Sequence, residues 1–202
     1  MGAWFLRVST AVLLPLAFVV SRPASAAAQP GAPRPVAVVV DPIIATRIEA
    51  LLATPNIVLM TDHYYIDTRF GPNLRIDAIV VEAVDSQTRL KGVRLQVRDP
   101  NSRGRQEGTS YMDLDELTRL SRGLASMVEL ASKWTGHDDR RANELSFTSA
   151  GGFRLAIRQS LRVPRAYLST GLYDPVVTSI ELVELGTLKE AFDQALAILN
   201  SK

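Results

Sequence analysis

Residues 113–134 read DLDELTRLSRGLASMVELASKW, and this stretch decides the fold. Asp113 stands where a helix N-cap belongs, and Glu116 follows three residues later, the capping-box spacing with Asp in place of Ser or Thr. Leu117, Leu120, Leu124, Met127, Val128, Ala131 and Trp134 then recur every three or four residues and make one continuous apolar stripe. Gly136 is placed to end the helix. A long amphipathic helix with one apolar face must lie on something, so what flanks it sets the class.

On both sides the period falls from 3.6 to 2. Upstream, Val93, Leu95 and Val97 alternate with Arg94, Gln96 and Arg98, the pattern of a half-buried antiparallel strand. Further back, 75–84 (RIDAIVVEAV) is rich in β-branched residues, Gly71-Pro72-Asn73 is a turn, and 57–60 and 63–70 read as strand. Tyr64, Ile66, Thr68 and Phe70 share one face of that strand. A short helix precedes it, with Asp41 as cap, Pro42 in the first turn, Ile44, Ile48, Leu51 and Leu52 as its stripe, and Thr54-Pro55 as its stop. Residues 99–108 (DPNSRGRQEG) read as a polar loop. Downstream, 144–149 is a strand, Ala150-Gly151-Gly152 a turn, and Phe153, Leu155 and Ile157 alternate with Arg154, Ala156 and Arg158. Strands at 165–169 and 176–184 follow. A last helix is predicted from Thr187 and Glu190, with Leu188, Ala191, Phe192, Ala195, Leu196 and Leu199 on one stripe. The class is α+β: antiparallel sheet built from two strands-then-helix halves, helices packed on one face, and a short N-terminal helix.

This order of elements resembles two known layouts. Strands followed by a helix, twice over, resembles the whirly-type single-stranded nucleic-acid binders, and implies a sheet face turned to a ligand. Helix, strands, helix, strands, helix resembles the type III secretion chaperones, and implies a protein partner. The chain carries no motif specific to either family, so no residue role is carried over from them.

Residues 1–26 read as a secretory signal peptide: Arg7 is the positive region, Ala11 to Val20 (AVLLPLAFVV) the apolar core, and Ala24-Ser25-Ala26 the cleavage pattern. The apolar run is shorter than the roughly 20 residues that span a bilayer, so no transmembrane span is expected in the mature chain. Residues 27–40 are expected to be a flexible Pro/Ala-rich linker, and 41–202 a single α+β domain. The chain has 23 basic and 21 acidic residues, and the leader holds two of the basic ones (Arg7, Arg22) and no acid, so the mature part is formally neutral. A neutral protein lacks the positive field that steers chains to nucleic acid, and no nucleic-acid partner is expected. There is no cysteine, hence no disulfide, thiol nucleophile or thiolate metal site.

The residues that carry chemistry are few. His63, in Asp62-His63-Tyr64-Tyr65, and His137, in Gly136-His137-Asp138-Asp139, are the two histidines, and no fixed metal-ligand spacing such as H-E-x-x-H accompanies them. No nucleophile elbow, S-x-x-K or phosphate loop occurs, and no catalytic residue, metal or cofactor is assigned. The acids have structural employment at helix starts and on alternating strands. The most suggestive feature is a set of arginines on polar strand faces: Arg94 and Arg98 on one strand, Arg154 and Arg158 on another. If those strands are neighbours, four guanidiniums share one surface suited to carboxylate or phosphate. The expectation is an exported, periplasmic or secreted, non-catalytic binding or interaction protein of the cell envelope, its partner a protein, peptide or envelope component. The alternatives are a hydrolase of an envelope polymer with a carboxylate pair, and an anion-binding module built on Arg94, Arg98, Arg154 and Arg158.

Overall fold

Among the described residues, alternating apolar and polar side chains build eight strands, and three helices cover them. The structure, a computed structural model, describes residues 46–102, 106–134, 143–160, 163–172 and 174–202. In chain order these residues form α1 (Arg47–Leu52), β1 (Leu59–Ile66), β2 (Leu74–Ala83), β3 (Thr88–Arg98), β4 (Glu107–Asp113), α2 (Leu114–Ser132), β5 (Asn143–Thr148), β6 (Arg154–Ser160), β7 (Val163–Thr170), β8 (Val176–Glu181) and α3 (Leu185–Ser201). Strands β1 to β4 pair in sequence order as antiparallel sheet A, and β5 to β8 as antiparallel sheet B. The α+β class and the two strands-then-helix halves are therefore those expected, with the strands divided between two sheets.

One core unites the halves. Ile76, Ala78 and Val80 of β2 and Val93, Leu95 and Val97 of β3 point inward from sheet A, and Leu155, Ile157, Ala166 and Leu168 from sheet B. Leu117, Leu120 and Leu124 of α2 and Leu188, Phe192, Ala195 and Leu199 of α3 fill the space between, so both predicted apolar stripes are buried. Phe153 and Phe192 meet edge to face, ring centroids 6.3 Å apart. Although α3 follows sheet B in sequence, it packs across β1, β2 and β3 of sheet A as well as on α2. Neither half can bury its own helix completely, which couples them.

Helices α2 and α3 share the inner side, whereas α1 lies on the opposite, outer face of sheet A. Ile48 and Leu51 reach down from α1 onto Ile79, Val81 and Ala83 in a second, smaller core. β2 therefore has apolar neighbours on both faces, which is why its sequence reads as a near-continuous apolar run rather than a clean alternation. The start of α1 differs from the expectation: Thr46 is its cap, with its Oγ1 accepting from Glu49 N at 3.0 Å and Glu49 Oε2 accepting from Thr46 N at 3.1 Å. Asp41 and Pro42, the expected start, lie outside the described residues, as do Gly136, His137, Asp138 and Asp139.

Asp113 does more than begin α2. Glu116 Oε2 accepts from Asp113 N at 3.4 Å as the capping box predicts. The Asp113 carboxylate itself turns to α1, accepting from Arg47 N at 3.0 Å and Ile48 N at 3.3 Å. One carboxylate thus satisfies two orphan donors of another helix and fixes α1 to the end of β4. Two boundaries correct the sequence reading. Residues 107–108, placed in the 99–108 loop, open β4, and the last helix starts at Leu185 behind a 3-10 turn (Leu182–Glu184) rather than at Thr187. There Glu184 accepts from Glu181 N at 2.7 Å, so a capping pair six residues upstream of Thr187 and Glu190 starts the coil. Among the described residues no helix is long and apolar enough to cross a membrane.

Candidate functional site

The outer face of sheet A carries a polar constellation built around one buried carboxylate, Asp77. Strand register sets Tyr65 (β1), Asp77 (β2), Arg94 (β3) and Tyr111 (β4) in one row across the sheet. The Asp77 side chain is 0% exposed. Its Oδ1 accepts from Arg75 Nε at 3.0 Å, and its Oδ2 from Arg94 Nε at 3.1 Å and from Arg94 Nη2. His63 Nδ1 stands 3.9 Å from Asp77 Oδ2. Two guanidiniums thus share one buried carboxylate, which leaves the group with one surplus positive charge. The Arg75 guanidinium also lies over the ring of Tyr65, 5.6 Å from its centroid, and Tyr65 is 64% exposed.

Beside this row a cleft of about 260 Å³ opens between the Gly71-Pro72 turn and the β3–β4 ribbon, lined by Tyr65, Arg75, Gln96, Arg98 and Glu107. Glu107 accepts from Gln96 Nε2 at 2.9 Å and from Arg98 Nη2 at 3.0 Å. Arg98 Nε is enclosed and has no acceptor among the described residues. Glu107 is the one acid lining this cleft. The other clefts described carry Glu181, Asp115 and Glu184, again one acid each, so no two carboxylates face each other across any of them. Among the described residues no three His, Asp or Glu side chains gather at metal-binding distance.

The four arginines singled out in the sequence fall into two pairs. Arg94 and Arg98 are on β3 in sheet A, Arg154 and Arg158 on β6 in sheet B, so the strands are not neighbours. Arg94 is bound to Asp77 and Arg98 to Glu107. Arg154 and Arg158 both donate to Glu144 on β5, the latter at 2.7 Å, and Arg158 also lies over Tyr167, 5.6 Å from its centroid. The hydrogen bond from Arg158, together with that from Arg154, holds the Glu144 carboxyl below the ordinary Glu range. A carboxyl with a depressed folded pKa contributes stability above its unfolded pKa and loses it as pH falls through the folded value. Glu144→Gln is accordingly expected to cost about 0.5 kcal/mol at pH 7, an exposed-pair value, and less as the pH falls to 3. Urea denaturation at the two pH values checks this, and equal losses at both would assign Glu144 a packing role instead.

Arg75 and Asp77 were not among the candidates read from sequence. Their signal was present in 75–77 (RID), two opposite charges two residues apart on one strand face, but nothing local says that this face is covered.

The second feature of sheet A is its edge. Val84 N donates to Val58 O at 2.9 Å, and the β1–β2 register continues that pair through Met60, Asp62, Tyr64 and Ile66. In an antiparallel ladder the intervening residues turn their main-chain groups the other way. The N–H and C=O groups of Leu59, Thr61, His63 and Tyr65 therefore point out of the sheet, and among the described residues no backbone group meets them. β1 is eight residues long and has neither Lys nor Pro nor Arg; Asp62, on the inner-face side of the strand, is its one formal charge. Among the described residues, half of the exposed large apolar side chains lie on it or beside it: Val58 (61%), Met60 (50%), Tyr65 and Val84 (53%). The opposite edge differs, since Gly171 N donates to Ser110 Oγ at 3.1 Å and Gly108 lies against Thr170 and Val176. No protein-family model matches the chain, and no curated protein matches it.

Proposed function

We propose that this chain is an exported, non-catalytic interaction protein of the cell envelope, and that it meets its partner along the open edge of sheet A. The signal-peptide pattern of residues 1–26 supports export, periplasmic or secreted. The observation that carries the interaction reading is β1 itself: an eight-residue edge strand whose four outward-facing residues have no main-chain partner among the described residues, flanked by exposed Val58, Met60, Tyr65 and Val84. Such an edge is costly to leave open, because it invites pairing with any extended chain, and proteins ordinarily guard or use it. The two other readings have less support. A hydrolase built on paired carboxylates needs two acids in one cleft, and each cleft described has one. An anion module built on Arg94, Arg98, Arg154 and Arg158 needs free guanidiniums, and each of these already has a carboxylate beside it.

The test is site-specific photo-crosslinking in the cells that make the protein. A photoreactive residue at position 65 is expected to give an adduct in the envelope fraction, whereas one at position 167, on the outer face of sheet B, gives none. Thr61→Pro is expected to abolish the adduct: the Thr61 N–H points outward, so proline there removes an edge donor and leaves the β1–β2 bonds intact. Adducts of equal yield from positions 65 and 167, or none from position 65, would end this reading.

A further inference from the structure

Resting on that edge reading, we infer that the partner is an extended peptide segment with an acidic side chain, added to β1 as a fifth strand of sheet A. Three observations on one surface converge on this class. The main-chain groups of Leu59, Thr61, His63 and Tyr65 point outward at every second residue, so they offer a donor and an acceptor at the spacing an added strand requires. All four side chains lie on the outer face, so the residues of an added strand that bond to them fall on that face too.

That face carries a surplus positive charge next to the edge. Arg75 and Arg94 share the single carboxylate of Asp77, and the Arg75 guanidinium leans over Tyr65, toward β1. A carboxylate on the incoming residue opposite Tyr65 or His63 balances the surplus and gains a charge-assisted bond from Arg75, whose side chain is half exposed and bound to Asp77 through Nε alone. At the other end of the strand Leu59 belongs to the small outer core, and Met60, Val58 and Val84 are apolar. The preferred segment therefore has apolar residues opposite Leu59 and Met60 and an acid about four to six residues along. A second copy of this chain fits less well. In any two-fold pairing of two β1 strands the outward residues Leu59, Thr61, His63 and Tyr65 meet one another, and none of them is an acid to stand beside Arg75.

The experiment uses residues 27–202 and two labelled synthetic eight-residue peptides, one alternating valine with glutamate and one alternating valine with lysine. Fluorescence anisotropy is expected to show the glutamate peptide binding about tenfold more tightly, with affinity falling as salt rises. Arg75→Glu is expected to reverse the preference. Thr61→Pro is expected to abolish binding of both peptides, with circular dichroism and the melting curve confirming that the variant folds. Equal binding of the two peptides, or binding indifferent to Thr61→Pro, overturns the inference. Self-association that Thr61→Pro removes, without peptide binding, assigns the edge to a second copy and likewise overturns it. If crosslinks from position 65 persist in the envelope while neither peptide binds, the interaction surface stands and the acidic-strand partner is wrong.

Discussion

Replacing Asp77 with alanine is expected to cost this protein about 3 kcal/mol of folding stability, more than any other single charge removal on sheet A. The expectation follows from burial, because the Asp77 carboxylate is fully enclosed between β1 and β3, with Ile79 and Val81 next along its own face. In that position it is the acceptor for three guanidinium N–H groups. Removing the carboxylate saves its own desolvation, yet it strands Arg94, whose side chain is only 22% exposed and has no second acid in reach among the described residues. An uncompensated buried guanidinium accounts for most of the loss, while Arg75, half exposed, adds less than 1 kcal/mol. Asp77→Ala combined with Arg94→Met should therefore recover much of the deficit, because the unpaired charge is gone and the methionine keeps the packing. A double-mutant cycle in urea measures this directly: the coupling energy between positions 77 and 94 should exceed that between 77 and 75. A cost below 1 kcal/mol for Asp77→Ala would mean that water reaches Arg94 and that the row is a surface feature.

The same residue bears on function. Asp77 fixes Arg75, and Arg75 stacks on Tyr65 at the open edge. Side chains held by a buried acceptor lose less freedom on binding than free surface arginines do. The polar row is thus a support for the edge, and the two halves of the candidate surface, a main-chain edge and a positioned cation, stand on neighbouring strands.

How much of this was legible in sequence depended on whether the signal was local. The Asp113–Glu116 pair and the Leu117–Leu124 stripe define α2 without reference to any other element, and the structure has them as read. Val93, Leu95 and Val97 face the core, and Arg94, Gln96 and Arg98 the outside, because alternation records one buried face. β4 was obscured because only Ser110 and Met112 of its central residues face inward, and a strand that buries two side chains leaves almost no period to find. Asp77 reads as a surface acid for a related reason: Arg94 of β3 and His63 of β1 close around it, and neighbours on other strands have no signature in 75–84. The arginine surface divided because β3 and β6 belong to different sheets, and strand order is a property of the whole chain. The open edge was invisible for the same reason. Nothing in 59–66 says which side of the strand is left without a neighbour.

Gly92→Ala is the second large effect, expected at about 3 kcal/mol, and it tests how α1 is held. Gly92 lies on β3 opposite Asp113, where α1 crosses the sheet. A methyl group there would sit 2.2 Å from Met112 O and 2.5 Å from Ile48 Cδ1. The first contact is with backbone, so no rotamer change relieves it. The strand pair β3–β4 must open, and with it the Asp113 carboxylate that caps α1. The second is with a fully buried side chain that has little room to turn. Ile48→Val removes Cδ1 and should rescue the variant only in part, since the clash with Met112 O remains. Gly123→Ala supplies the contrast: Gly123 is inside α2 with nothing within 4 Å of a new Cβ, and the same change there should stabilise by about 0.5–1 kcal/mol through helix propensity. Urea denaturation of the three variants separates the causes. A Gly92→Ala protein as stable as the parent would mean that α1 rides loosely on the sheet. Full rescue by Ile48→Val would place the strain in the helix contact, and leave the β3–β4 pairing undisturbed.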